Sequence, residues 1–123
     1  MKSLKVLVVD DIFANRLLLS EIIKDLDCEC VEASNGKEAV DELENSDFDI
    51  VLLDIEMPIM NGIETVKYIR NKLDAPKNQI PVIALTAHNP SLFFDDYNDV
   101  GFTDLLTKPY SIDKITSVIK SIS

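Results

Sequence analysis

Three short apolar runs, Lys5–Val9, Phe48–Leu53 and Pro81–Leu85, punctuate the chain. Their centres, VLVV, IVLL and VIAL, carry no polar position, which predicts strands buried on both faces. Two less apolar runs, Cys28–Ala33 and Thr103–Thr107, read as further short strands. Between the strands, apolar residues recur at helical spacing. A first helix is expected from about Ala14 to Leu26, with Ala14, Leu18, Ile22 and Leu26 on one stripe. Asn35 opens a second, with Glu38 at the capping-box position and Ala39 and Leu43 inward. Asn61 opens a third, with Glu64 three residues on and a stripe of Ile63, Val66, Ile69 and Leu73. Asn89-Pro90 starts a fourth, which Gly101 ends. Ser111 caps a fifth, with Ile112, Ile115, Ile119 and Ile122 facing inward.

Five strands in strict alternation with five helices predict βαβ units. The fold class is therefore α/β, a parallel sheet with helices on both faces and right-handed crossovers. No repeat or low-complexity segment interrupts the pattern, and residues 1–123 read as one domain.

Charge narrows the function. The net charge of −10 argues against direct binding to nucleic acid or to an anionic membrane, since both reward Lys and Arg. Cys28 and Cys30 sit two apart on one strand, too close for an easy disulfide. His88 is the only histidine, so no zinc set forms with them. Two free thiols, no signal peptide and no apolar run of membrane length make a cytoplasmic protein the expectation.

In a sheet of this kind, ligands bind beyond the carboxyl ends of the strands. The first strand ends in Asp10 and Asp11, the third in Asp54, the fourth in Thr86 and the fifth in Lys108. Two adjacent carboxylates at the end of a buried strand are costly unless a positive charge offsets them. A small cluster of hard oxygen ligands suits Mg²⁺. Lys108 adds a point charge for phosphate oxygens, and Thr86 can donate one hydrogen bond. Metal, ammonium and hydroxyl together can hold the equatorial oxygens of a transferring phosphoryl group. Asp54, alone on the central strand, is the best candidate nucleophile. Singly, each residue has a plain explanation: a solvated acid pair, a turn residue, a strand-end hydroxyl, a surface lysine. Their conjunction at four strand ends favours one site.

The segments VLVVDD (6–11), LLDIEMPIMNG (52–62), ALTA (84–87) and LLTKP (105–109) carry a further signal. Through them the sequence resembles the receiver domain of bacterial two-component response regulators, over essentially the whole chain. The resemblance implies a flavodoxin-like receiver fold with strand order 2-1-3-4-5. It implies that Asp54 accepts a phosphoryl group from a histidine kinase or a histidine phosphotransfer domain. Asp11 and Asp54 would bind Mg²⁺ directly, Glu56 through its backbone carbonyl, and Asp10 through water. Thr86 would swing to the acyl phosphate, helped by the Ala87 N–H, and Lys108 would pair with the phosphate. The Lys108-Pro109 bond would be cis. The chain would catalyse only its own phosphoryl transfer and dephosphorylation, and so would not be an enzyme toward other substrates.

Some positions depart from the family or tune it. Many receivers carry Tyr or Phe three residues before the lysine, where this chain has Leu105. The output face expected on the fourth helix, fifth strand and fifth helix would use Phe94, Tyr97 and Leu105. Glu56 and His88 occupy the positions that tune phosphoryl lifetime, and His88 is expected to make dephosphorylation pH-dependent. MPIMNG and ALTAH are most similar to receivers of phosphorelays and hybrid kinases, which favours a histidine phosphotransfer partner over a DNA-binding output. The downstream partner is not specified.

Three other readings compete. A small Mg²⁺-dependent aspartyl-phosphate phosphohydrolase would use an acid two residues after the nucleophile, where Glu56 stands, and also a substrate cap, for which 123 residues leave no room. A flavin-binding protein would need a Ser/Thr-rich phosphate loop where this chain has DDIFANR. A receiver-like scaffold that is never phosphorylated would lack the acceptor or the lysine.

Overall fold

The computed structural model describes residues 4–87, 100–108 and 111–122. In chain order these form β1 (Lys5–Val9), α1 (Phe13–Asp25), β2 (Glu29–Ala33), α2 (Gly36–Asn45), β3 (Ile50–Asp54) and α3 (Gly62–Lys72). A single 3₁₀ turn (Lys77–Gln79), β4 (Val82–Thr86), β5 (Asp104–Thr107) and a C-terminal helix (Ile112–Ile122) follow. All strand pairs are parallel, in the order β2-β1-β3-β4-β5. The α/β class and the 2-1-3-4-5 order match the expectation. Four of the five expected helices lie among the described residues. The fourth, with Asn89-Pro90, Phe94 and Tyr97, lies outside them.

The period of two along each strand sorts the core into two layers. Val6, Val8, Ile50, Leu52, Ile83, Leu85 and Leu106 meet Leu19, Ile22 and Ile23 of α1 and Ile115 and Ile119 of the C-terminal helix. Leu7, Val9, Val51, Leu53 and Val82 meet Ala39 and Leu43 of α2 and Val66 and Ile69 of α3. Helices cover both faces, so β3 and β4 are buried at every position. Each such Val, Ile or Leu contributes roughly 1.5–3 kcal/mol by leaving water.

Two expected stripes need correction. On α1 the buried residues are Leu19, Ser20, Ile22 and Ile23, while Ala14 is exposed and Leu18 is 46% exposed. Steps of four residues overshoot a full turn by about 40° each, so the stripe from Ala14 to Leu26 winds off the face that meets the sheet. In the C-terminal helix, Ile115 and Ile119 are buried, but Ile112 is 65% exposed in the first turn.

The caps follow the sequence with one shift. Asn61 and Glu64 close a capping box, with bonds of 2.9 and 3.1 Å. Asn35 accepts from the Glu38 N–H at 2.9 Å, but the Glu38 carboxylate turns back to the N–H and hydroxyl of Ser34, not to the Asn35 N–H. At the start of β3, Asp49 Oδ2 accepts from the Lys5 N–H at 2.7 Å and the Asp49 N–H donates to the Lys5 carbonyl at 2.8 Å, while the strand itself runs from Ile50 and not from Phe48. At that same end of the sheet, Arg70 donates to the carbonyls of Gly101, Asn78 and Ile80 and ties the entries of β4 and β5 to α3. Cys28 and Cys30 are free and half-buried. Among the described residues, no helix is long and apolar enough to cross a membrane.

Candidate functional site

The register of the sheet assembles the site. Val8 pairs with Leu52 and Val9 with Leu53, so Asp10 follows its strand beside Asp54. Asp54 pairs with Leu85, and Thr86 pairs with Thr107, which brings Lys108 to the same edge. Parallel strands all end at one side of the sheet, so polar residues spread over the sequence converge there.

The carboxylates of Asp10, Asp11 and Asp54 offer oxygen atoms that lie within 4.8 Å of one another. Asp10 and Asp54 are buried and Asp11 is exposed. Lys108 Nζ stands 3.2 Å from Asp54 Oδ1. The Lys108 N–H donates to the Thr86 carbonyl at 2.7 Å, locking the lysine to the end of β4. Burial, and then the charge of Asp10, push the Asp54 carboxyl above its ordinary range. Lys108 and the Glu56 N–H pull the other way without cancelling the rise.

Three acids facing one ammonium leave the cluster short of positive charge. The donor set is carboxylate oxygen, held by buried strand ends on one side and open to water at Asp11 on the other. A small hard cation that keeps several waters, such as Mg²⁺, fits that set.

The loop after Asp54 is fastened to the site through glycine. Gly62 N donates to the Ile55 carbonyl at 2.8 Å. A Cβ on Gly62 would stand 2.4 Å from the Asp54 carbonyl oxygen and 2.7 Å from Ile55 Cα. Only a residue without a side chain lets α3 begin directly against the end of β3. Within the loop, Ile59 adopts a φ of 69°, an uncommon conformation for a β-branched residue.

Comparison with known proteins now decides the family. The family model described as response regulator receiver domain matches residues 6–120. The chain belongs to this family. It is 37% identical over 117 residues to the sensor protein GacS of Pseudomonas syringae pv. syringae, covering 94% of this chain and 13% of that protein. The chain therefore spans only a small part of that sensor's length. It is 36% identical over 118 residues to the chemotaxis protein CheY of Listeria monocytogenes, covering 95% of this chain and 96% of that one. The structure of the response regulator TrrA of Thermotoga maritima in complex with Mg²⁺–BeF superposes with a TM-score of 0.84 at 32% identity, covering 100% of both chains. The protein is thus a receiver of two-component signalling, a phosphoaspartate-dependent switch with an acidic site of Asp10, Asp11 and Asp54.

Of the residues singled out in the sequence, this receiver brings Asp10, Asp11, Asp54 and Lys108 together. Thr86 is buried at the end of β4, next to Lys108. Glu56 is exposed in the loop, and its N–H reaches the Asp54 carboxylate. Leu105 is half-buried on β5 and packs with Ile55 and Ala84. His88, Phe94, Tyr97 and the Lys108-Pro109 bond lie outside the described residues. Gly62, Asn15 and Arg16 had no site role in the sequence pattern. The glycine directly after the Asn61 cap was a usable signal. Asn15 and Arg16 stand one turn beyond the two acids, where a helix start can reach back to its preceding strand.

Proposed function

We propose that this receiver takes a phosphoryl group onto Asp54 from the phosphohistidine of a histidine kinase or histidine phosphotransfer domain, and passes the resulting change to a protein partner. The observation that carries this reading is the cluster itself: three carboxylates within 4.8 Å, one of them paired with Lys108 at 3.2 Å. Asp11 and Asp54 would hold Mg²⁺ directly, with the Glu56 carbonyl as a third protein ligand and Asp10 acting through water. The chemistry such an ion would supply there is neutralisation of charge on the phosphoryl oxygens.

An Asp54 carboxylate oxygen attacks phosphorus. The new O–P bond forms as the P–N bond to the donor histidine breaks, and the bonding pair leaves with the imidazole nitrogen. Lys108 then pairs with the phosphoryl oxygens, and Thr86 donates a hydrogen bond to them. The group transferred is the only substrate; turnover of a separate molecule is not part of the reading. The added charge and acceptor oxygens shift the strand ends and loops that hold Thr86 and Lys108.

The donor approaches over α1. Ile12, Phe13, Leu17 and Leu18 are large apolar residues left exposed beside Asp11, and Phe13 is 65% exposed. A patch continuous with the acceptor site suits a protein donor. The output partner uses the opposite edge, where Leu105, Asp113, Lys114 and Val118 line a groove of about 510 Å³ between β5 and the C-terminal helix. Two free thiols suit a reducing compartment, the cytoplasm.

Phosphoryl incorporation from acetyl phosphate, read by intact mass for wild type and Asp54→Asn, tests the reading. A Mg²⁺-dependent adduct that disappears in the variant is the expected result. A folded, Mg²⁺-binding protein that takes no adduct from acetyl phosphate or from a phosphohistidine donor would be a scaffold. Steady phosphate release with no accumulating adduct would identify a phosphohydrolase.

A further inference from the structure

We infer that Asn15 and Arg16 are positioning residues for the metal site, acting through Asp10. Asp10 is fully buried, yet each of its polar atoms is held. Its N–H donates to the Ala33 carbonyl at 3.2 Å. Its Oδ1 accepts from the Ile12 N–H at 2.9 Å, and its Oδ2 accepts from Asn15 Nδ2 at 3.3 Å. Its carbonyl accepts from Arg16 Nη1 at 2.7 Å. Arg16 is fastened in turn, with Nε 3.3 Å from Glu32 Oε1 at the end of β2 and its guanidinium 5.6 Å from the centre of the Phe13 ring. Its side chain is 16% exposed, so this is a seated guanidinium and not a surface charge.

The arrangement solves a problem that the cluster creates. A buried carboxylate beside two others gains by turning away from them. Donors on both oxygens oppose that movement, because they fix the direction of the carboxylate. Each carboxylate oxygen accepts more than one hydrogen bond, so an oxygen held by Ile12 or Asn15 keeps capacity for a metal-bound water. The guanidinium behind the Asp10 main chain prevents the strand end from moving when Asp11 and Asp54 are drawn together. Asn15 and Arg16 therefore form a second layer that runs from the β2 edge through α1 to the metal. Such outer partners set metal affinity by orienting a ligand they do not replace.

This inference rests on the reading that the cluster holds Mg²⁺, and the test separates the two. Mg²⁺ is titrated by calorimetry into wild type, Asn15→Leu, Arg16→Met and Arg16→Lys. Labelling from acetyl phosphate is then followed against Mg²⁺ concentration for the same proteins, with thermal melts to establish folding. Asn15→Leu and Arg16→Met are expected to weaken Mg²⁺ binding by about tenfold, while labelling at saturating Mg²⁺ stays near the wild-type rate. Arg16→Lys should recover part of the loss, since a lysine retains a donor but not the fork that also reaches Glu32. Asn15→Leu keeps the branched, four-atom shape of the side chain at a half-buried position, so it carries the test if Arg16→Met does not fold. Unchanged Mg²⁺ affinity in Asn15→Leu overturns the inference. So does a lower maximal rate with unchanged affinity, which would place Asn15 in the transfer step. A wild-type protein that binds no Mg²⁺ overturns the proposed function and this inference together.

Discussion

Lys108 Nζ lies 3.2 Å from Asp54 Oδ1, and this ion pair only partly offsets what burial and Asp10 impose on the acceptor. The Asp54 carboxyl is left with a raised pKa. The folded state therefore keeps the Asp54 proton to higher pH than the unfolded chain does. With metal chelated, this group lowers stability progressively as pH rises from the ordinary carboxylate range through the raised value. Asp54→Asn removes that effect. The metal-free variant should be more stable than wild type at neutral pH. The advantage should shrink toward acid, where wild-type Asp54 is protonated in both states. Urea melts in chelator from acid to neutral pH measure it, and parallel curves would show that burial and Asp10 do not strain the site.

Gly62 is held against the acceptor strand so closely that a methyl group has no place. Gly62→Ala should cost about 1–3 kcal/mol, the range for overpacking a filled site. Because the atoms displaced are the Asp54 carbonyl and Ile55 Cα, labelling of Asp54 should slow as well. A melt and a labelling time course on the same sample would show both losses, or their absence.

Ile59 has a φ of 69° at the centre of a tight turn in which the Met60 N–H donates to the Pro58 carbonyl at 2.7 Å, and it is 77% exposed. Its side chain contributes little packing, while its backbone carries strain of about 1–2 kcal/mol. Ile59→Gly, with a residue that adopts positive φ without a Cβ penalty, should stabilise the protein by about 1 kcal/mol. Thermal melts that are unchanged or lowered would mean that Ile59 makes a compensating contact.

Phe13 and Leu17 are exposed on α1 beside the acidic site. At saturating Mg²⁺, Phe13→Ser and Leu17→Lys should leave labelling by acetyl phosphate unchanged, because a small donor needs no docking surface. Transfer from a phosphorylated histidine phosphotransfer domain should slow by about tenfold or more, the loss expected when a buried anchor is removed from an interface. Equal slowing with both donors would place the defect in the site and not in docking.

Much of this receiver was legible in the sequence. VLVV, IVLL and VIAL hold no polar position, and only a sheet covered on both faces buries such runs. Strict alternation of these strands with helices then leaves a parallel sheet, whose strand ends share one edge. That is why Asp10, Asp11, Asp54, Thr86 and Lys108 could be collected into one site before any distance was known. The caps at Asn35 and Asn61 were equally readable, because a cap depends on residues within one turn.

Tertiary structure decided what depends on rotation about an axis or on close approach. The buried face of α1 is Leu19, Ile22 and Ile23, because the sheet selects among apolar residues that nearly surround that helix. Ile112 fits an inward stripe by spacing, yet it stands exposed in the first turn of its helix. The 2.4 Å approach behind Gly62, and the bonds from Asn15 and Arg16 to Asp10, join groups whose separation in space no periodicity encodes. Hydrophobic pattern specifies which segments turn a face inward, but not which face when apolar residues nearly surround a helix, since burial rewards any apolar contact alike. Hydrogen bonds and close packing are directional and short-ranged, so which polar atom meets which was settled only when the folded chain brought them together.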